Sequence, residues 1–142
     1  MKMTRKDYPL ASKRPEIIKT PTGKNLEEIT LENVMNGKVN PDDVRISPQT
    51  LEMQAQIAED MNRDAIARNL RRAAELISIP DDRILEIYNA LRPFRSSKEE
   101  LLAIADELEH KYNAKVNADF VRESVEVYEE RKKLRVEELV EA

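Results

Sequence analysis

From Ser47 onward apolar residues recur at spacings of three and four, and each run is bracketed by a start or stop signal, so this stretch is committed to α-helix. Ser47-Pro48 sets a cap before a proline at the first helical position, and Leu51, Ala55, Ala58, Met61 and Ala65 follow on one stripe. A break near Asn62 separates them from Ile66, Leu70, Ala73, Ala74 and Ile77, while Arg63, Arg68, Arg71, Arg72 and Glu75 supply the solvated side. Pro80 forces a boundary. Asp81 and Asp82 then sit in a first turn, where negative charge meets the positive end of the helix dipole, and Ile84, Ile87, Tyr88 and Leu91 form a stripe that Arg92-Pro93 stops. Ser96 with Glu99 reads as a capping box before Leu101, Ile104, Ala105, Leu108 and Tyr112. Asn113 can end that helix in a left-handed conformation, and a last helix runs from about Val116 through Phe120, Val121, Val125 and Tyr128 into the solvated face Glu129 to Lys133.

Residues 1–46 follow a different grammar. Pro9, Pro15 and Pro21 crowd the first 24 residues, with Gly23 close behind, and proline both lacks an amide donor and turns its predecessor away from helix. The same 24 residues hold Lys2, Arg5, Lys6, Lys13, Arg14, Lys19 and Lys24 against Asp7 and Glu16, a net +5 on a chain whose total is −4. Such a basic arm is suited to lying across its own body, docking on a partner's acidic surface, or approaching nucleic acid. Its apolar residues Tyr8, Pro9, Leu10, Ile17 and Ile18 point to burial somewhere. Two short elements follow, Thr30 to Asn36 closing at Gly37, and a turn at Asn40-Pro41-Asp42-Asp43.

The expected class is all-α: an open up-and-down helical bundle of four or five helices over 47–142, with an extended, irregular, basic N-terminal arm carrying short helical turns over 1–46. The one candidate for strand pairing is a two-residue stretch around Val44 and Ile46. Many stripe positions are Ala, and only four Tyr and two Phe are available as large anchors, so a partner is expected to complete the core.

Chemistry is sparse. Without cysteine there is no disulfide framework, thiolate zinc site or cysteine nucleophile, and a cytoplasmic location is expected. Two glycines do not make a phosphate-binding loop or dinucleotide fingerprint. The only histidine, His110, lies in Glu109-His110-Lys111 near a helix end, and neither a triad nor a metal site is expected around it. No membrane is expected, since no apolar run approaches the ~18 residues of a span and Met-Lys-Met-Thr-Arg-Lys is not a secretory leader. No nucleic-acid partner is expected either, given a pI of about 5.2 and only Tyr8 for stacking in the arm. The linker Arg92-Pro93-Phe94-Arg95 stands out, because arginine and aromatics on a proline-pinned corner are interface residues. The alternative has Phe94 turned into the core against Leu101.

Tyr8-Pro9-Leu10-Ala11, Arg45-Ile46-Ser47, Thr50-Leu51-Glu52, Gln54-Ala55, Arg72-Ala73-Ala74-Glu75-Leu76, the run Pro80 to Ser97, Leu101-Leu102-Ala103-Ile104-Ala105 and Phe120-Val121-Arg122-Glu123 closely resemble the small (gamma) subunit of adenosylcobalamin-dependent glycerol and diol dehydratases. The likeness runs from about Asp7 to Leu134. It implies a dimer of heterotrimers with large (alpha) and medium (beta) subunits, which removes water from glycerol, giving 3-hydroxypropionaldehyde, or from 1,2-propanediol, by a radical route. Adenosylcobalamin would lie between the large and medium subunits, so the resemblance carries no catalytic, cofactor or metal residue onto this chain. It also implies an N-terminal extension lying on the large subunit, and the interface residues expected are Tyr8, Pro9, Leu10, Arg92, Phe94 and Arg95. Members of the microcompartment diol type carry roughly thirty more residues before Tyr-Pro-Leu, so glycerol dehydratase is the expected subtype and propanediol dehydratase the alternative. The tail Val136 to Ala142 runs past the end of comparable members, near Lys133-Leu134-Arg135, and is expected to be a solvated helical extension. From the physics alone, a helical adaptor with no enzyme association is the competing class.

Overall fold

The computed structural model describes residues 1–136, which form two compact units, one from Met1 to Ile77 and one from Ser78 onward. The chain is all-α, as expected: the described residues hold seven α-helices and, outside them, 3-10 turns and an isolated bridge between Lys19 and Asn25. The boundary expected at 46/47 lies inside the first unit. Of the tail from Val136 to Ala142, all but Val136 lies outside the described residues.

The first unit is built on a helical pair, preceded by α1 (Leu10–Lys13) and α2 (Leu31–Met35). α3 (Pro48–Asp60) starts where the sequence indicates, with the Ser47 hydroxyl accepting the Thr50 N–H at 3.2 Å. Asn62 takes φ 56° and the Arg63 N–H reaches back to the Ala58 carbonyl at 2.8 Å, so the chain reverses into α4 (Asp64–Leu76). Ala55, Ala58 and Ala67 are buried together with Leu70 against them. Small side chains let the two backbones approach, and Arg71 of α4 straps the pair by ion pairs to Glu52 (2.9 Å) and Glu59 (2.5 Å) of α3.

The arm does not stand outside these helices. Met3 and Leu10 are buried with Ile57 of α3, and Ile17, Ile18 and Met53 pack against them. The Met3 N–H donates to Gln56 Oε1 at 2.8 Å, and Asp60 accepts both the Arg5 N–H (2.8 Å) and its guanidinium (3.0 Å). The arm is thus irregular, coiled through turns at Arg5–Asp7, Pro15–Ile17 and Leu26–Glu28, and it spends Arg5, Arg14 and Lys24 on carboxylates of its own unit. Of the three uses for its charge, lying across its own body is the one observed.

Asp43 ties the far end of the arm. Its buried carboxylate accepts the Thr20 and Thr22 hydroxyls, the Asn40 N–H at 2.9 Å and the Lys24 ammonium at 2.9 and 3.0 Å. The hydroxyl of Thr22, then the Asn40 amide and the Lys24 charge, hold its acidity well below the usual carboxylate range. A carboxyl depressed on folding favours the fold above its unfolded pKa near 4 and loses that contribution as the pH falls further. Asp43→Asn is therefore expected to lower urea midpoints at neutral pH, with the gap to wild type narrowing progressively as the pH falls below about 4. A gap unchanged over that range would contradict this role for the charge.

In the second unit, α5 (Asp81–Ala90) is followed by α6 (Lys98–His110) and α7 (Lys115–Glu130). The capping box sits one residue later than the sequence suggests. Ser97 Oγ accepts the Glu100 N–H and Glu100 accepts the Ser97 N–H at 2.9 Å, which frees the buried Ser96 hydroxyl to donate to the Ala90 carbonyl at 2.9 Å and close the end of α5. Asn113 takes φ 53° as expected, and α7 folds back on α6 with Leu101, Leu108 and Val121 almost wholly buried between them. α5 joins this pair through Arg83 to Glu107 (2.5 Å) and through the Tyr128 hydroxyl, which donates to the Leu91 carbonyl at 2.6 Å.

Candidate subunit interface

Exposed apolar surface is concentrated in a few places, and each has a local cause. α2 is a helix of five residues, capped by the Thr30 hydroxyl on the Asn33 N–H and ended at Gly37 with φ 78°. It sets Leu31, Val34 and Met35 at i, i+3 and i+4 with no apolar run of this unit left to cover them, so Leu31 is 77% and Met35 80% exposed. Val44 and Ile46 lie open as well. They form no strand pairing; Val44 closes the 3-10 turn Pro41–Val44, held by the Asn40 cap. Sequence reasoning placed α2 but passed over this lobe, although an apolar triplet in a helix under two turns long, with nothing opposite, is a legible signal.

At the arm, Tyr8 and Pro9 are exposed whereas Leu10 is buried against Ile57, so Leu10 serves the chain's own core and only its two predecessors remain for a partner. They line a groove of about 690 Å³ with Ile18, Leu26, Met61 and Ile66.

The corner after α5 was open to two readings, and Phe94 resolves it: the ring is 56% exposed and is no core staple against Leu101. Its φ of 66° is left-handed, unusual for a bulky residue. The strand of chain at 133–135 pins it there. The Phe94 N–H donates to the Lys133 carbonyl at 2.7 Å, and the Lys133 ammonium lies 5.0 Å from the ring centroid. The Arg135 N–H donates to the Ser96 carbonyl at 2.9 Å, and its guanidinium reaches the Arg95 carbonyl and Glu100, each at 2.7 Å. Arg92 and Arg95 project from this corner exposed, as do Leu85 and Tyr88 of α5.

His110 is exposed at the end of α6, and among the described residues no three His, Asp or Glu side chains converge to hold a metal. Among them, too, no helix is long and apolar enough to cross a membrane.

An all-α chain that leaves apolar patches uncovered among its described residues has the profile of a subunit, and comparison with known proteins agrees. The dehydratase small subunit family matches residues 3–135, and the chain belongs to that family. It is 63% identical over 129 residues to the propanediol dehydratase small subunit of Salmonella typhimurium and 61% identical over the same length to that of Citrobacter freundii. Each match covers 91% of this chain and 75% of the relative. Membership of a small-subunit family implies larger partner subunits and displaces the adaptor reading.

Proposed function

We propose that this chain is the small subunit of a propanediol (diol) dehydratase, supporting larger subunits that carry the reaction. What carries the reading is the 61–63% identity to two propanediol dehydratase small subunits, joined to the exposed apolar side chains of Leu31, Val34 and Met35 on α2 and of Val44 and Ile46 after it. Glycerol preference, expected from the few residues before Tyr8, gives way to the diol. Where a chain starts weighs little against identity over 129 residues, and both relatives are named for propanediol.

In this reading the chain pairs with a large and a medium subunit in a dimer of heterotrimers, in the cytoplasm, a setting that suits the absence of cysteine. Adenosylcobalamin is held by those larger chains and supplies the radical that starts dehydration. The residues here exclude water from an interface and hold the larger fold in shape. The α2 face is the first contact of choice, because covering Leu31, Val34 and Met35 removes exposed apolar side chains from water at roughly 25 cal/mol per Å². Tyr8 and Pro9 extend the contact.

The test mixes purified chains. Alone, the protein is expected to show no dehydratase activity and no cobalamin binding, and activity appears with the large and medium subunits. Leu31→Ser, Val34→Ser and Met35→Ser together are expected to leave the melting curve close to wild type and weaken association at least a hundredfold. Tight cobalamin binding by the lone chain, or full association of the triple variant, would overturn the reading.

A further inference from the structure

We infer that the corner at residues 92–95 is a preformed anchor, in which Phe94 fills an apolar recess on the larger dehydratase subunit while Arg92 and Arg95 pair with carboxylates around that recess. The inference rests on the small-subunit reading above and adds the chemistry of the partner's surface.

Charge in the second unit is segregated. Its described residues carry 11 Lys and Arg against 13 Asp and Glu, yet six of the cations (Arg92, Arg95, Arg131, Lys132, Lys133 and Arg135) fall at the corner and on the chain that pins it. Two carboxylates of this unit are engaged elsewhere: Glu100 takes Arg135 and Glu129 takes Lys98. The side chains of Arg92 and Arg95 make no hydrogen bond or ion pair among the described residues, so two guanidiniums stand ready for planar, two-point pairing with carboxylates. Two exposed arginines beside an exposed ring form the composition of an interface centre.

Backbone conformation supports the same assignment. Holding a bulky side chain at positive φ is unfavourable and persists only where the surroundings enforce it. Here three contacts from 133–135 enforce it, and the outcome is a ring displayed to solvent whose one ring contact among the described residues is the Lys133 ammonium. A preformed ring loses little entropy when it is buried by a partner. Tyr88, one helical turn before Arg92 on α5, and Leu85 before it extend the apolar part of the surface. A polyanion such as nucleic acid fits less well, because the unit as a whole carries more acid than base.

The experiment co-expresses the full chain with the large and medium dehydratase subunits and measures its affinity for them at low and moderate salt. Phe94→Gly retains the left-handed backbone and deletes the ring, so it is expected to leave the melting temperature of the chain unchanged or raised while weakening association about tenfold or more. Arg92→Gln with Arg95→Gln is expected to weaken association by a similar factor at low salt and to flatten its salt dependence. Wild-type affinity in Phe94→Gly, or an unaltered salt slope in the double variant, overturns the anchor while the small-subunit reading stands. Failure of the wild-type chain to associate removes that reading and the anchor with it. Binding of an oligonucleotide that the double variant abolishes, with subunit association intact, likewise rejects the carboxylate partner.

Discussion

Replacing Leu10 by alanine is expected to destabilise the first unit by about 2–4 kcal/mol, the usual range for a buried leucine truncated in a packed core. Leu10 is the hinge of the arm's attachment. It lies with Met3 and Ile57 in one cluster, and it closes one wall of the groove beside Tyr8, so its loss opens the cluster to water instead of leaving a sealed void. The measurement is a urea titration of the full chain followed by circular dichroism. A midpoint equal to wild type would mean that the arm is a passive leader. Removing residues 1–24 outright is expected to do more, since Met3, Arg5 and Lys24 go with Leu10 and take away contacts of Ile57, Asp60 and Asp43. Truncation therefore reports on stability before it reports on assembly, and Tyr8→Ala and Pro9→Ala are the cleaner probes of the arm as a contact.

The second large effect is in the other unit. Leu101→Ala is expected to cost about 3–5 kcal/mol, at the upper end for this substitution, because the side chain is 1% exposed and sits where α6 meets α7. Ala105 and Ala118 line the same interface and have no rotamers with which to fill the space. Leu101→Met should recover most of the loss, since methionine conserves volume. An alanine variant within about 1 kcal/mol of wild type would show that this pair relaxes around the cavity and that α6 and α7 are less tightly packed than their burial implies.

Much of the fold was legible because its punctuation is local. Ser47-Pro48, Asn62, Pro80, Arg92-Pro93 and Asn113 each state a boundary through capping, a missing donor or a left-handed turn, and none of these depends on distant residues. The slip of the capping box by one residue is instructive. Ser96-Glu99 and Ser97-Glu100 are equal as sequence, and what separates them is the Ala90 carbonyl, which claims the Ser96 hydroxyl from six residues away. The position of the arm is not legible for a related reason. Its prolines and charge describe a chain unable to form long helices, but where it lies is decided by Met3, Leu10 and Asp60, whose contacts span about fifty positions and which no local pattern encodes.

The proposed interface divides in the same way. Arg92, Phe94 and Arg95 could be singled out by residue type, while the strap from 133–135 that turns Phe94 outward could not. Leu10 looked like a contact and proves to be core, and the α2 lobe, whose apolar spacing resembles any buried helix, is exposed because nothing in its unit faces it. The family likeness was correct at the level of the small subunit, and it leaned to glycerol where the relatives point to propanediol.

The most direct measurement is native mass spectrometry of the chain co-expressed with large and medium dehydratase subunits. The account predicts that it is found one-to-one with the large subunit, and that serine at positions 31, 34 and 35 releases it as a folded free chain. A wild-type chain that remains a folded monomer among those subunits, while they dehydrate diol at full rate, would contradict it.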